Sequence, residues 1–212
     1  MELLVATVLF TIIAGTVFSL LLSAQLRYRG ESDVTTAFQQ ANVAIDQITR
    51  DVHSTGYPPA SAFPASSPQV AALPFSWSVS SGYPTSPCTM NANCGAIPGE
   101  YDLILETDTG DGHGVQFIRY SLQGTTLMRG VAQKGNNPDP VASTTGTLMP
   151  YLENVQNGLQ SLPIFTYGPL PVTQPSSIRD VNISLIVQSA QPDPQTRQFR
   201  TITLTGQASR LN

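Results

Sequence analysis

Residues 1–24 read MELLVATVLFTIIAGTVFSLLLSA, and this stretch decides the architecture. From Leu3 to Ala24 there is no Lys, Arg, Asp or Glu, and one carboxylate, Glu2, stands directly in front of the run. As a helix, roughly 20 residues rising 1.5 Å each cross about 30 Å of hydrocarbon, so the run predicts a membrane-spanning or equally apolar environment. Glu2 then needs explaining. A carboxylate at membrane depth costs about 2.5–3.5 kcal/mol even on lenient insertion scales, so it calls for a partner, and a partner implies assembly.

Working outward, Gln25-Leu26-Arg27-Tyr28-Arg29 opens an amphipathic stretch in which Val34, Phe38, Ala41, Ile45, Ile48 and Val52 fall alternately four and three residues apart. That spacing forms one apolar stripe on a helix. No proline interrupts residues 3–53, and only Gly15 and Gly30 weaken them, so both stretches read as one helix of about 50 residues, near 75 Å long. Thr55-Gly56-Tyr57-Pro58-Pro59 ends it, with Gly56 free to take the left-handed cap and proline unable to continue.

Residues 54–99 hold no Asp, Glu, Lys, Arg or His and carry eight prolines, the composition of an irregular segment. Alternation of Leu73, Phe75, Trp77 and Val79 within residues 70–79 predicts one strand that pins this segment to the domain, with Phe63, Trp77 and Tyr83 buried against the sheet rather than displayed. After Pro98 the chain reads as β. Residues 101–107 and 115–123 flank the turn Asp108-Thr109-Gly110-Asp111-Gly112-His113-Gly114, and Gly124-Thr125 leads into residues 126–131. Val181, Ile183, Leu185 and Val187, then Ile202, Leu204 and Ala208, alternate with polar residues as half-buried antiparallel strands do.

The expected class is therefore α+β: an apolar helix over residues 1–24, its amphipathic continuation over 25–55, an uncharged Pro/Ser-rich loop over 56–99 and an antiparallel β-sheet domain over 100–212, with the helix stripe covering the sheet.

Charged residues make up 11% of the chain, the net charge is −4 and Lys134 is its one lysine, so the clustered cations that bind nucleic acid are missing. Cys88 and Cys94 lie close together; outside the cytoplasm they pair as a disulfide whose short loop contributes roughly 2 kcal/mol, whereas two thiols without a nearby His would under-coordinate zinc. Glu106, Asp108 and Asp111 offer oxygen ligands beside flexible glycines, as calcium prefers, but without the full acidic spacing of a calcium loop. No nucleophile elbow, zinc-protease helix, phosphate loop or C-x-x-C motif occurs, so no catalytic residue, small-molecule substrate or further cofactor is expected. Asn182-Ile183-Ser184 fits a glycosylation pattern but falls in mid-strand.

Met1-Glu2-Leu3-Leu4-Val5-Ala6-Thr7-Val8-Leu9-Phe10 resembles the start of processed subunits of the type IV pilin superfamily. Asp51-Val52-His53-Ser54-Thr55-Gly56-Tyr57, Leu127-Met128-Arg129-Gly130-Val131, Leu152-Glu153-Asn154-Val155 and Phe165-Thr166-Tyr167 are similar to minor pilins of the PilW type and to J-type pseudopilins of type II secretion. The resemblance implies a subunit held in the bacterial inner membrane by its helix, then packed helix against helix with other pilin subunits in a surface filament, as a minor component that starts assembly or presents an adhesive tip. Glu2 matches the family's Glu, which pairs with a neighbouring subunit's N-terminal amine, neutralising both charges. The family's processed chain carries a few more apolar residues before Met1, behind a basic leader, so a trimmed sequence is expected in preference to a variant that begins at Met1 and skips the processing peptidase. Arg27 and Arg29 argue weakly for a cytoplasmic C-terminal side, against the family. A cleaved secretory signal would need a basic front and a shorter core, and a plain single-pass anchor leaves Glu2 unexplained. An anchored extracytoplasmic binding module that uses the uncharged loop is the rival from another class.

Overall fold

The computed structural model describes residues 2–59, 75–76, 99–134, 140–169, 177–194 and 196–211. Helix α1 runs unbroken over Glu2–Ser54, as the absence of proline predicts, and ends where Gly56 takes a φ of 78°. The chain then forms β1 (Phe75–Ser76), β2 (Asp102–Asp108), β3 (Val115–Gln123), β4 (Thr126–Gln133), α2 (Pro140–Thr145), β5 (Met149–Leu152), β6 (Phe165–Gly168), β7 (Asp180–Gln188) and β8 (Thr201–Ser209). The class is α+β with a long N-terminal helix and antiparallel sheets.

Where a single sheet was expected there are two. β1 to β5 form a five-stranded antiparallel meander in sequence order, and β6 to β8 form a three-stranded one. The expected strand within residues 70–79 is present at Phe75–Ser76, where buried Phe75 pairs with Leu105 of β2. β5, β6 and α2 were not anticipated, because four-residue strands and a six-residue helix are too short to show periodicity.

The two sheets are tied by residues 154–165. Val155 donates its N–H to Thr125 O (2.8 Å) and bridges to Val187, while the Asn157 side chain donates to Ser184 O and accepts from Ile186 N, both at 2.8 Å. Ile164 and Phe165 both donate to Glu100 O at 3.0 Å. The two Asn157 bonds satisfy edge groups of β7 beyond the end of β6. α1 packs chiefly on β8 and β7, reaching β2 and β5 at its flanks. One core results, running from Ala41, Ile45 and Ile48 through Val181, Ile183 and Leu185 to Leu103, Ile118 and Leu127.

Candidate functional site

α1 has two halves with different fates. From residue 37 onward Ala37, Ala41, Ala44, Ile45, Ile48 and Val52 are buried on the sheets. Val34 is half-buried and Phe38 stays 46% exposed, so the expected stripe is corrected at its N-terminal end. The small residues Ala37, Ala41 and Ala44 explain the shift: they let the helix backbone approach β8, which turns the neighbouring Phe38 outward. Gly206 of β8 answers them, since a Cβ there would stand 2.5 Å from Ile45 Cγ2.

Residues 2–22 are exposed throughout. Leu3 is 80% exposed, Phe10 71%, and every large apolar residue from Leu3 to Leu22 is open. This is the one described helix long and apolar enough to cross a membrane, and none of its most apolar window is buried in the fold. Covering one Leu, Ile, Val or Phe stabilises by about 1.5–3 kcal/mol, and the run far exceeds the few hundred Å² of apolar surface that soluble monomers display. Its polar groups are prepared for an apolar setting. Thr7 Oγ1 donates to Leu4 O (2.9 Å), Thr11 Oγ1 to Val8 O (2.8 Å) and Thr16 Oγ1 to Ile13 O (2.8 Å), so no threonine hydroxyl in the run depends on water.

Glu2 lies in the first turn of α1, exposed at the tip, where the helix dipole favours a negative charge. It makes no hydrogen bond or ion pair among the described residues, so its carboxylate and the unsatisfied first N–H groups of the helix project together from the domain.

The anchorage of α1 includes a charge that reading the stripe missed. Asp51, only 6% exposed, points into the interface between α1 and the five-stranded sheet. Its Oδ2 accepts from Tyr120 Oη at 2.5 Å and from Arg129 at 3.0 Å, and its Oδ1 accepts from Gln47 Nε2 at 2.8 Å. Arg129 also donates to Tyr120 Oη (3.0 Å) and lies 5.6 Å from that ring's centre, while Tyr151 meets the ring edge-on. Burial first, then the Asp51 charge, pushes the Tyr120 phenol far above its ordinary value. The available signal was local: Asp51 is three residues beyond Ile48 and ten beyond Ala41, hence on the buried face.

The helix end is sewn to β2 as well. Gly56 N donates to Glu106 O (2.8 Å), Thr107 Oγ1 to Ser54 O (2.7 Å) and Asp108 N to Tyr57 O (2.8 Å). Thus α1 is fastened at its C-terminal half by packing, by an ion-paired network and by backbone bonds, and is bare along its N-terminal half.

The carboxylates of Glu106, Asp108 and Asp111, weighed above as calcium ligands against a solvated hairpin turn, have hydrogen-bond or ion-pair partners within the chain. The Glu106 side chain is buried and bound to Lys134 Nζ at 2.6 Å, which takes it out of any exposed ligand set. Asp108 Oδ1 accepts from Gly110 N (2.8 Å), and Asp111 accepts from His113 N (2.9 Å) and Gln116 Nε2 (2.8 Å). Those two bonds, the His113 amide first, hold the Asp111 carboxyl below the usual carboxylate range. The two aspartates shape the hairpin turn, and among the described residues no group of three His, Cys, Asp or Glu could hold a metal ion. Cys88 and Cys94, with Phe63, Trp77 and Tyr83, lie outside the described residues.

The chain matches no protein-family profile, no curated protein and no solved structure. Its architecture, a long apolar N-terminal helix packed by its second half on antiparallel sheet, is compatible with a pilin-type fold.

Proposed function

We propose that the chain is a non-enzymatic structural subunit of a type IV pilus-like filament, a minor pilin that helps start assembly or forms part of an adhesive tip. The observation that carries the reading is the division of α1. One half is locked to the domain and the other offers apolar surface on every side, which a bilayer covers first and the helices of neighbouring subunits cover afterwards. Uniform exposure of residues 3–22 suits both coverings, because neither lipid nor a helical bundle approaches from one side only.

Glu2 supplies the direction of assembly. Moving a carboxylate from the membrane interface into a filament core is costly unless a positive group meets it, and a neighbouring subunit's terminal amine neutralises both charges. The test is Glu2→Leu in the full chain, expressed with its filament system. The variant is expected to remain folded and membrane-bound while surface filaments are lost or greatly reduced. Filaments assembled at the wild-type level by Glu2→Leu would refute the proposal and leave an anchored binding module as the better account.

A further inference from the structure

In the connection between β7 and β8, described over residues 189–194 and 196–200, Pro194 lies against α1 just past the apolar run. A Cβ on Gly30 would come within 3.3 Å of Pro194 Cδ, which places this loop beside the helix six residues after Ala24. At 1.5 Å per residue that is about 9 Å beyond the last apolar position. The headgroup layer of a bilayer lies at this level, since the polar regions add about 5–8 Å on each side of the hydrocarbon.

The groups gathered there suit that layer. Within the loop Asp193 is buried and accepts a hydrogen bond from the Arg200 guanidinium, so this pair is internally compensated. Arg197 differs. It occupies the tip of the loop at a φ of 56°, held by its N–H donating to Asp193 O (2.8 Å), and its exposed guanidinium makes no ion pair among the described residues. Phe199 beside it is 50% exposed. The helix contributes exposed Arg27, Tyr28 and Arg29 at the same level, and the acids there are exposed Glu31, half-buried Asp33 and exposed Glu153, which lines one cleft with Asp33 and Ala190. Exposed Arg29 and Arg197 thus stand at this level with two exposed aromatic rings, Tyr28 and Phe199. Arginine with an amphipathic ring is the combination that settles at a membrane interface, the stem and ring in the apolar boundary and the charge on phosphate.

We propose that this end of the domain docks on the phosphate layer of anionic lipid, with Arg197 on headgroup phosphate and Phe199 and Tyr28 in the interfacial layer. Docking holds the domain at a set tilt while the subunit waits in the membrane. The proposal rests on residues 3–24 spanning the bilayer.

The test uses the full chain reconstituted into vesicles of phosphatidylcholine, alone or mixed with phosphatidylglycerol, with brominated acyl chains as a contact quencher. Phe199→Trp reports the loop. Thr109→Trp, in the β2–β3 turn, is the control, because that turn adjoins the far end of α1, about 45 Å from the membrane end of the helix. The wild-type signal from Trp77 is subtracted from both. Strong quenching of Phe199→Trp and weak quenching of Thr109→Trp is expected. Adding Arg197→Gln to Phe199→Trp is expected to lower the docked-to-free ratio about fivefold in anionic vesicles and little in neutral ones, the effect of one cation at an anionic surface. Equal quenching at both sites, with the chain retained through an alkaline wash, overturns the docking and leaves the span standing. Release of the chain by that wash overturns the span and the docking with it. Loop quenching that ignores both Arg197→Gln and lipid charge overturns the assignment to phosphate.

Discussion

Replacing Gly206 by alanine tests how closely α1 lies on β8. The added Cβ would stand 2.5 Å from Ile45 Cγ2 and 3.9 Å from Ile45 Cβ, with no other atom inside 4 Å. Carbon atoms rest at about 3.5–4.0 Å, so helix and strand must part by about 1 Å at this point. Ile45 has little freedom to yield. It is β-branched, restricted to one main rotamer in a helix, and buried beside Ala41 and Ile48. Overpacking of this kind costs about 1–3 kcal/mol, offset by about 0.5–1 kcal/mol because alanine loses less backbone entropy than glycine on folding. The net is a loss of about 1–2 kcal/mol. For a chain of this size the melting temperature should fall by about 2–8 °C.

The assay is thermal or urea unfolding of the full chain in detergent, followed by circular dichroism, on four proteins: wild type, Gly206→Ala, Ile45→Ala and the double variant. Ile45→Ala alone should cost about 2–5 kcal/mol as a buried large-to-small change. With Cγ2 gone, Gly206→Ala should become neutral or stabilising, so the two changes couple with a positive rescue. Equal destabilisation by Gly206→Ala in both backgrounds would refute a contact between these residues as its cause.

Two further outcomes follow from the polar anchorage. Asp51→Ala should cost about 3 kcal/mol in urea unfolding by leaving Arg129 and the Tyr120 hydroxyl without their acceptor, and Arg129→Met added to it should recover part of the loss; no recovery would mean that the ion pair is not the reason. Buried Tyr120 and half-buried Tyr167 have phenols pushed well above the ordinary value, loss of hydration being the main cause in each. A phenol raised in the folded state contributes its full stability below pH 10 and loses it as pH rises beyond, so stability should drop in alkali and two of the seven tyrosines should ionise only on unfolding. Tyrosinate absorbance that rises for all seven in one step around pH 10, in protein still folded by circular dichroism, would contradict this.

How much of this was legible beforehand depends on range. The helix and its stop could be read from residues 2–59 because absence of proline, a four-and-three apolar repeat and the Gly56 cap act within a few residues. β3 at Val115–Gln123 was also readable, since alternation and turn chemistry are local. The partners of the acids around the β2–β3 turn were not readable, for the opposite reason. Glu106, Asp108 and Asp111 are close in sequence, but the partner that claims Glu106 is Lys134, 28 residues away. Asp51 was passed over because a lone carboxylate on an apolar stripe carries no sign of the Tyr120 and Arg129 that receive it. Phe38 was assigned to the buried stripe because its spacing fits; the close approach that three alanines and Gly206 allow is a property of two surfaces meeting.

What the amino-acid order determined by itself is a continuous helix with one wholly apolar half, an acid at its head and a train of antiparallel strands behind it. Hydrogen bonding along a helix and side-chain alternation along a strand repeat over a few residues, so they are written in the nearest neighbours. Only the tertiary structure decided that the strands divide into two sheets, that Asp51 and Glu106 become buried ion-pair members, and that the β7–β8 loop returns to the helix just past its apolar run. Each of those depends on which distant segments share one core, and that choice belongs to the energy of the whole packed chain rather than to any window of it.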